Sequence, residues 1–207
     1  MLAMNAGMIN VLGLISLLHQ SVSHMTGNAS LIALSLADQD YSSVIFLVLV
    51  VISYVLGSSY SGFILGNSHF QLARRYGLPL TLVTIFILLC WLFINEYPRY
   101  ALLWACASMG IQNAMVSHYQ GAIIRTTHLS GVLTDLGLAL GYFFRGLKND
   151  NKKIILHLLI LIGFITGSIV AAISYPYLQL NAFLIPAGLS FLLSLIYWIL
   201  YLRHSRI

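Results

Sequence analysis

The chain alternates long apolar runs with shorter polar segments, which is the pattern of a protein built from membrane-crossing helices. Four uninterrupted apolar runs reach the roughly 17–25 residues that a helix needs to cross a bilayer. They cover about 42–66, 78–94, 154–175 and 182–202. We therefore predict a membrane-spanning helix at each of these positions.

Two longer stretches, about 3–37 and 100–144, are also mostly apolar but contain His, Gln, Asn, Thr, Arg and Asp. A straight helix over 3–37 would be roughly 50 Å long, against a hydrocarbon core of about 30 Å. Each stretch must therefore break, and non-helical backbone survives at membrane depth only where it is buried in protein or faces water. We predict the breaks at Ser23–Asn28 and Thr127–Gly131. One net crossing for each stretch gives an all-α integral membrane protein with six transmembrane crossings.

Composition and charge agree with this class. Of the 207 residues, 59% are hydrophobic and 7% are charged, which is outside the range of a soluble domain. The formal charge of +5 does not indicate nucleic-acid binding, because the basic residues lie at predicted helix ends rather than in a basic patch with aromatics. The first apolar run lacks the features of a signal peptide, and we interpret it as mature protein. Cys90 and Cys106 lie in apolar segments, where we predict packing roles.

Lysines and arginines predict the orientation of the six crossings. One side of the membrane receives the basic residues Arg74, Arg75, Arg145, Lys148, Lys152, Lys153, Arg203 and Arg206. The opposite loops hold the charged residues Arg99, Asp38, Asp40 and Glu96. The positive-inside rule therefore predicts that both termini are cytoplasmic.

An internal repeat relates the two predicted breaks. Both carry the pattern [ST]-H-[ML]-[ST]-G, once as Ser23-His24-Met25-Thr26-Gly27 and once as Thr127-His128-Leu129-Ser130-Gly131. Upstream, Gly7-Met8-Ile9-Asn10-Val11 matches Gly110-Ile111-Gln112-Asn113-Ala114, and downstream Gly57-Ser58 matches Gly167-Ser168. Pro79 and Trp91 match Pro186 and Trp198.

These matches predict two repeats of three crossings each, residues 1–97 and 98–207, in a single membrane domain. An odd number of crossings inverts the second copy relative to the first, about an axis in the membrane plane. Inverted repeats with broken helices are typical of secondary transporters, whose half-helix N-termini face the substrate.

The candidate substrate-binding residues surround the two breaks. We expect the motif glycine to permit an unusual backbone geometry, a short helix to begin immediately after it, and Thr26 or Ser130 to cap that helix. The alternative is that these small residues only let helices pack closely. The candidates are Asn10, His24, Thr26, Gly27, Asn28, Gln112, Asn113, Arg125, Thr127, His128, Ser130, Gly131, Thr134 and Asp135.

The histidines of the two motifs are expected to approach the pseudo-two-fold axis, joined by His19 and His118. As hydrogen-bonding or proton-carrying groups they are credible, because imidazole titrates near neutral pH. The alternative is a pair of core histidines satisfied by helix carbonyls. A metal site is disfavoured, because His19 and His24 are off helical ligand spacing and no Cys or Glu accompanies them. We predict neither a metal nor a cofactor.

Arg125 and Asp135 are the two charged side chains expected well inside the membrane, where each costs several kcal/mol unless it is paired or hydrated. They flank the second break, whereas the first copy has Ser21 and Leu31 at the corresponding positions. The site is therefore polarised toward the second half, which suits an anionic or zwitterionic solute. The alternative is a purely structural ion pair between Arg125 and Asp135 that stabilises the broken helix.

The chain resembles the YoaK-like family of bacterial inner-membrane proteins. The residues that carry the resemblance are Gly7-x-x-Asn10, Thr26-Gly27-Asn28, Gly110-Ile111-Gln112-Asn113-Ala114 and Arg125-Thr126-Thr127-x-x-Ser130-Gly131-x-x-Thr134-Asp135. The resemblance spans essentially the whole chain and implies a polytopic protein of the bacterial cytoplasmic membrane, with no established substrate or catalytic residue. Members often have Asp-Ala where this chain has Asn10-Val11, so a proton-coupling carboxylate at position 10 is absent here.

The leading functional hypothesis is a small secondary transporter that binds a small polar solute at the broken helices. A homodimer is compatible with this hypothesis, with Gly57, Ser58, Ser61 and Gly62 at a helix interface. One alternative is an intramembrane enzyme that uses His24, His128 and Asp135 as acid–base groups. The other is a non-transporting accessory or sensor subunit.

Overall fold

The computed structural model describes residues 1–66, 74–117 and 125–204, and every regular element within them is helical. The helices are α1 Leu2–Ser16, α2 Met25–Ala37, α3 Tyr41–Leu65, α4 Arg74–Phe93, α5 Pro98–Ser117, α6 Leu129–Phe144, α7 Asn151–Leu178 and α8 Leu184–His204, with a 3-10 helix Gln179–Phe183 between the last two. The prediction of an all-α chain is confirmed. The four uninterrupted apolar runs correspond to α3, α4, α7 and α8.

Three helical stretches in the described ranges are long and apolar enough to cross a membrane: Tyr41–Leu65, Tyr76–Phe93 and Asn151–Arg203, the last containing both α7 and α8. Large apolar side chains on these helices remain uncovered, and Phe63 for example is 89% exposed. A water-soluble chain rarely leaves so much contiguous apolar surface open, whereas lipid covers it favourably. The exposed apolar faces of these helices therefore suit a bilayer.

The first long stretch is broken, as predicted, because α1 ends at Ser16 and α2 begins at Met25. With 15 and 13 residues, these helices are about 22 and 20 Å long, shorter than the hydrocarbon core. The predicted position of the break is right for Ser23 and His24 and wrong for residues 25–28. The non-helical link is 17–24, and Gly27 already lies in the first turn of α2.

The link leaves α1 through two consecutive residues with left-handed backbone geometry. Leu18 has φ 55° and His19 has φ 54°, although neither is glycine. Beyond them the chain folds back on α1, where a Cβ on Gly13 would lie 2.5 Å from Val22 Cγ2. A left-handed turn made by Leu and His carries no sequence signal, which is why the break begins earlier than expected.

In the second long stretch, α5 ends at Ser117 and α6 begins at Leu129. Residues 118–124, with His118, lie outside the described ranges, as does Arg206. Thr127 and His128 are non-helical and Gly131 is in the first turn of α6. The prediction of a second break is confirmed, but here too the helix begins before the motif glycine.

Two tight helix crossings hold the chain together, one between α1 and α7 and one between α3 and α5. In the first, a Cβ on Gly7 would lie 2.1 Å from the Phe164 carbonyl oxygen, and one on Gly167 would lie 2.0 Å from the Met4 carbonyl oxygen. Ser168 Oγ donates to the Gly7 carbonyl oxygen at 3.4 Å. Only glycine lets these two backbones approach so closely.

The α3–α5 crossing repeats this arrangement. A Cβ on Gly57 would lie 2.2 Å from the Ala107 carbonyl oxygen, and one on Gly110 would lie 2.1 Å from the Tyr54 carbonyl oxygen. Ser58 Oγ donates to the Gly110 carbonyl oxygen at 3.1 Å. Gly57 and Ser58 are therefore used inside the chain, so their assignment to a dimer interface is wrong. The homodimer itself stays a prediction.

Aspartates begin the two longest helices. Asp40 Oδ1 accepts a hydrogen bond from the Ser43 backbone N–H at 3.1 Å at the start of α3, and Asp150 does the same for Lys152 at 3.1 Å at the start of α7. Side-chain and backbone hydrogen bonds from Ser43 lower the pKa of the Asp40 carboxyl. These caps satisfy first-turn donors that have no partner within the helix.

Candidate functional site

A buried amide ties the first break to α1. Asn10 Oδ1 accepts hydrogen bonds from the Ser23 backbone N–H at 3.0 Å and from Ser21 Oγ at 2.9 Å. Its Nδ2 donates to Ser23 Oγ at 2.7 Å and to the Ala6 carbonyl oxygen at 3.1 Å. Asn10 therefore replaces the helical partners that the link has lost, and it also lines the cavity described below.

Asn113 makes the equivalent hydrogen bonds at the second break. Its Oδ1 accepts from the Thr126 backbone N–H at 3.0 Å and from Thr126 Oγ1 at 2.8 Å. Its Nδ2 donates to Thr127 Oγ1 at 2.7 Å and to the Tyr54 hydroxyl at 2.9 Å. The two asparagines therefore fix the chain directly before each motif histidine.

Gln112 joins the two halves of the chain through a fully buried amide. Its Oε1 accepts from Asn5 Nδ2 at 3.0 Å, and its Nε2 donates to the Leu2 carbonyl oxygen and to Thr126 Oγ1, both at 3.0 Å. These three hydrogen bonds all go to other groups of the protein. Gln112 and Asn113 thus hold the scaffold and do not line the cavity below.

The motif histidines are the N-cap residues of α2 and α6, and neither Thr26 nor Ser130 caps these helices as predicted. Neither Gly27 nor Gly131 has a positive φ, so the prediction that the motif glycine permits an unusual backbone geometry is also wrong. A Cβ on Gly27 would lie 2.5 Å from His24 Nδ1, and one on Gly131 would lie 2.8 Å from His128 Nδ1. The glycine makes room for the imidazole of the preceding histidine.

Both motifs face one cavity of about 530 Å³, which we call the histidine cavity. It is lined by Asn10, Val11, Leu14, Ser21, Ser23, His24, Met25, Thr26, Tyr54, Arg125, Thr127, His128, Leu129, Ser130 and Phe164. The structure therefore brings together, at one place, these predicted site residues: Asn10, His24, Thr26, Arg125, Thr127, His128 and Ser130.

The electrostatics of the histidine cavity favour negative charge. The first two residues of α2 and of α6 line it, so the positive ends of two helix dipoles meet there. First-turn N–H groups have no partner within a helix, and neither N-cap side chain accepts a hydrogen bond from them. Arg125 adds a permanent positive charge, and the lining residues include no Asp or Glu.

The remaining candidates lie elsewhere. Asn28 is buried in α2, with Nδ2 4.0 Å from Met25 Sδ. Thr134 is exposed on α6 and donates to the Ser130 carbonyl oxygen at 2.9 Å. His19 is exposed, with Nδ1 3.0 Å from the Leu14 carbonyl oxygen, so the expectation that it joins the motif histidines is wrong.

Asp135 lies in a second cavity of about 230 Å³, which we call the Asp135 cavity. It is lined by Arg125, His128, Gly131, Val132, Asp135, His157 and Ile160. The Asp135 carboxylate is 3.5 Å from His157 Nε2, and this is its ion pair in the part of the chain that the structure describes. The partner of Asp135 is thus His157 on α7 rather than Arg125.

Residues 1–196 match the family described as "Protein of unknown function (DUF1275)". The chain belongs to this family. It is also 26% identical over 184 residues to the UPF0700 transmembrane protein YoaK of Bacillus subtilis (strain 168), an alignment that covers 85% of this chain and 82% of YoaK. The predicted resemblance is confirmed, and the chain is a membrane protein of the DUF1275 family. No solved structure matches it.

Several lining residues of this DUF1275 protein were not among the predicted site residues. Tyr54 and Phe164 both line the histidine cavity, and each lies three residues before the glycine of a repeated Gly-Ser pair. That spacing is a usable signal, because it places them at equivalent points of α3 and α7. No comparable sequence pattern identified His157, because a single histidine in an apolar run does not show which residue it contacts in the folded protein.

Proposed function

We propose that this DUF1275 protein is a secondary transporter that binds a small organic anion in the histidine cavity. The observation that carries the proposal is the convergence of two helix N-termini, two N-cap histidines and Arg125 on one cavity. Half-helix N-termini that face a polar cavity are the means by which several transporter folds bind anionic substrate groups.

The lining offers complementary groups for a carboxylate. A guanidinium presents paired N–H donors in a planar fork that matches the two carboxylate oxygens, which favours Arg125 as the primary contact. Thr26, Thr127 and Ser130 add hydroxyl donors, and the imidazoles can donate or accept. Each helix dipole contributes about 0.3–1 kcal/mol toward a nearby negative charge at an exposed site.

We also propose that the two halves form an inverted repeat. Its support is that equivalent residues line the histidine cavity in pairs: Ser21 with Arg125, Ser23 with Thr127, His24 with His128, Met25 with Leu129, Thr26 with Ser130, and Tyr54 with Phe164. The paired glycine crossings of α1 with α7 and of α3 with α5 add to it. In such a fold, rocking of one half against the other exposes the site alternately to each side.

The proposed topology is six crossings in the bacterial cytoplasmic membrane, with both termini in the cytoplasm. Each half then contributes one broken and two continuous crossings. The link between α6 and α7 carries Arg145 and Lys148, and the first turn of α7 carries Lys152 and Lys153, which favours the cytoplasmic side for this end of the two helices. The acidic turn of Asp38 and Asp40 between α2 and α3 falls on the opposite side.

The proposal is tested by ligand-induced thermal shift on the detergent-solubilised protein, with lactate, succinate and inorganic phosphate as probes at constant ionic strength. A ligand that binds the folded state stabilises it by about 2.7 kcal/mol at a hundredfold excess over its Kd. We expect at least one carboxylate to raise the melting temperature in a saturable manner. Arg125→Gln should remove the shift.

The matched control is Arg203→Gln, because Arg203 is an exposed arginine at the end of α8 and remote in sequence from both motifs. It removes the same charge and should leave the ligand shift intact. An equal loss in both variants would indicate non-specific charge binding and contradict the assignment of Arg125. No shift with any of the three probes would contradict the proposed solute class.

A further inference from the structure

We propose that Asp135 and His157 form a proton-binding site that couples proton uptake to anion binding in the neighbouring histidine cavity. The inference rests on the proposed function, because it assigns a coupling ion to that transporter. Asp135 Oδ2 lies 3.5 Å from His157 Nε2. The His157 side chain is 16% exposed and that of Asp135 is 56% exposed, so the imidazole is largely covered by protein while the carboxylate is accessible from outside.

Arg125 and His128 connect this pair to the solute site, because they line both the histidine cavity and the Asp135 cavity. A charge change at the pair therefore acts directly on two groups that face the anion. Ala3, Val132 and Ile160 form an apolar cluster at the same place. Apolar surroundings lower the effective dielectric constant and strengthen the interaction between neighbouring charges.

The pair occurs in one half of the chain only. The aligned Gly57-Ser58 and Gly167-Ser168 place Leu47 opposite His157, and the motif alignment places Leu31 opposite Asp135. The first half thus has leucine at both positions, and Leu47 is buried. The acid Asp135 and the base His157 are thus present together in one copy and replaced together by leucine in the other. This joint replacement indicates that the two groups act together.

Two further ionisable groups, Arg125 and His128, line the cavity of the pair. The others on the elements that carry the pair or pack against it are Tyr142 on α6, Lys152, Lys153, Tyr175 and Tyr177 on α7, and the Met1 amino group directly before α1. No side chain of α1, which packs against α7, is ionisable. Within the described residues, His157 is the imidazole within 4 Å of Asp135, and Asp135 is the only carboxylate that lines this cavity.

The coupling follows from charge. Without a bound proton the pair is negative, and the Asp135 carboxylate weakens the attraction between Arg125 and an anion. One proton from solvent, bound at His157 Nε2, makes the pair neutral overall and removes this unfavourable effect on anion binding at Arg125. Proton and anion are then carried together, and the proton returns to solvent when the anion leaves. Linkage is reciprocal, so anion binding must in turn promote proton uptake.

The first test needs no ligand. Protein labelled with ¹⁵N-histidine is titrated by NMR between about pH 5 and pH 8, the range in which imidazoles change charge. His157→Gln identifies the His157 signals. We expect His157 to titrate and the His128 signals to follow it, and this response of His128 should vanish in Asp135→Asn. A His157 that does not titrate, or a His128 that ignores it, overturns the proton site.

The second test measures lactate affinity as a function of pH, because lactate keeps its single charge throughout this range. A single coupled proton predicts an affinity that rises about tenfold for each unit of falling pH while the pair loses its proton. Asp135→Asn removes the negative charge and should lose this tenfold rise, keeping only the pH dependence that His24 and His128 contribute from the lining of the histidine cavity. The double variant Asp135→Leu, His157→Leu copies the first half and should behave in the same way.

The two tests separate the two proposals. Lactate that binds wild type with the same affinity at every pH overturns the coupling while leaving the proposed function standing. Coupled imidazole titrations without any lactate binding support the proton site and contradict lactate as a representative of the solute class. A purely structural ion pair would lower the melting temperature of both Asp135 variants without changing the pH profile of lactate binding, which also overturns the proposal.

Discussion

A methyl group on Gly27 would come within 2.5 Å of His24 Nδ1, so the glycine and the imidazole occupy adjoining space on the first turn of α2. Gly131 stands in the same relation to His128 on α6. This contact explains why the two motifs end in glycine although neither glycine needs an unusual backbone conformation. It also keeps each imidazole folded against its helix at the edge of the histidine cavity.

The first prediction concerns Gly131→Ala. The added methyl must displace the His128 ring, so we expect lactate affinity to fall at least about tenfold, or 1.4 kcal/mol. The control is Gly137→Ala in the same helix, where a Cβ meets nothing within 4 Å. It should bind lactate normally and be stabilised by up to about 1 kcal/mol through helix propensity. Thermal-shift titrations compare the two, and equal affinities would contradict the role of Gly131.

The second prediction concerns the helix crossings. Gly57→Ala forces a methyl against the Ala107 backbone, which cannot move aside as a side chain can, so we expect a loss of at least about 1–3 kcal/mol in stability. Gly62→Ala in the same helix meets nothing and should be neutral or slightly stabilising. The same comparison applies in α7 between Gly167→Ala and Gly163→Ala. Melting temperatures in detergent measure the difference, and a tolerated Gly167→Ala would show that the α1–α7 crossing is looser than described.

The third prediction concerns the amide that holds the first break. Asn10→Leu leaves the partly buried Ser23 N–H without its acceptor, at a cost of about 1–3 kcal/mol. Asn10→Asp keeps an oxygen acceptor for the Ser23 N–H but loses the Nδ2 donor that faces the Ala6 carbonyl oxygen, so we expect a stability between those of Asn10→Leu and wild type. If Asn10→Asp were as unstable as Asn10→Leu, the hydrogen bond to the link would not be the reason for a polar residue here.

The fourth prediction concerns topology. Cysteines placed at Asp38, Glu96 and Lys148 are exposed, whereas the native Cys90 and Cys106 are buried and provide a low background. A membrane-impermeant maleimide added to intact cells should label Asp38→Cys and Glu96→Cys, and should label Lys148→Cys only after the cells are opened. Labelling of all three from the same side would exclude six crossings.

The sequence predicted much of this fold because its signals are local. Long apolar runs identified α3, α4, α7 and α8, and two stretches too long for one helix identified the breaks. The duplicated motif predicted that His24 and His128 belong to one site, and both line the histidine cavity. The packing role predicted for Cys90 and Cys106 agrees with their place in the hydrophobic core.

Features that depend on tertiary packing could not be predicted from the sequence. The end of α1 is made by Leu18 and His19 in left-handed backbone geometry, which leucine rarely adopts, and Val22 lies against Gly13 beside this turn. Nothing in the sequence separates that turn from a continuing helix. The ion pair of Asp135 with His157 joins two helices, and its geometry depends on how α6 packs against α7.

The most direct test of a solute site between the two motifs is lactate counterflow in proteoliposomes. Vesicles loaded with unlabelled lactate should take up radiolabelled lactate when wild-type protein is present. The double variant His24→Asn, His128→Asn keeps good helix N-caps but loses both imidazoles, and should be as inactive as empty vesicles. His19→Asn, which preserves the left-handed turn, should be active. Uptake by the double variant equal to that of wild type, or no uptake by wild type, would contradict the proposed anion site.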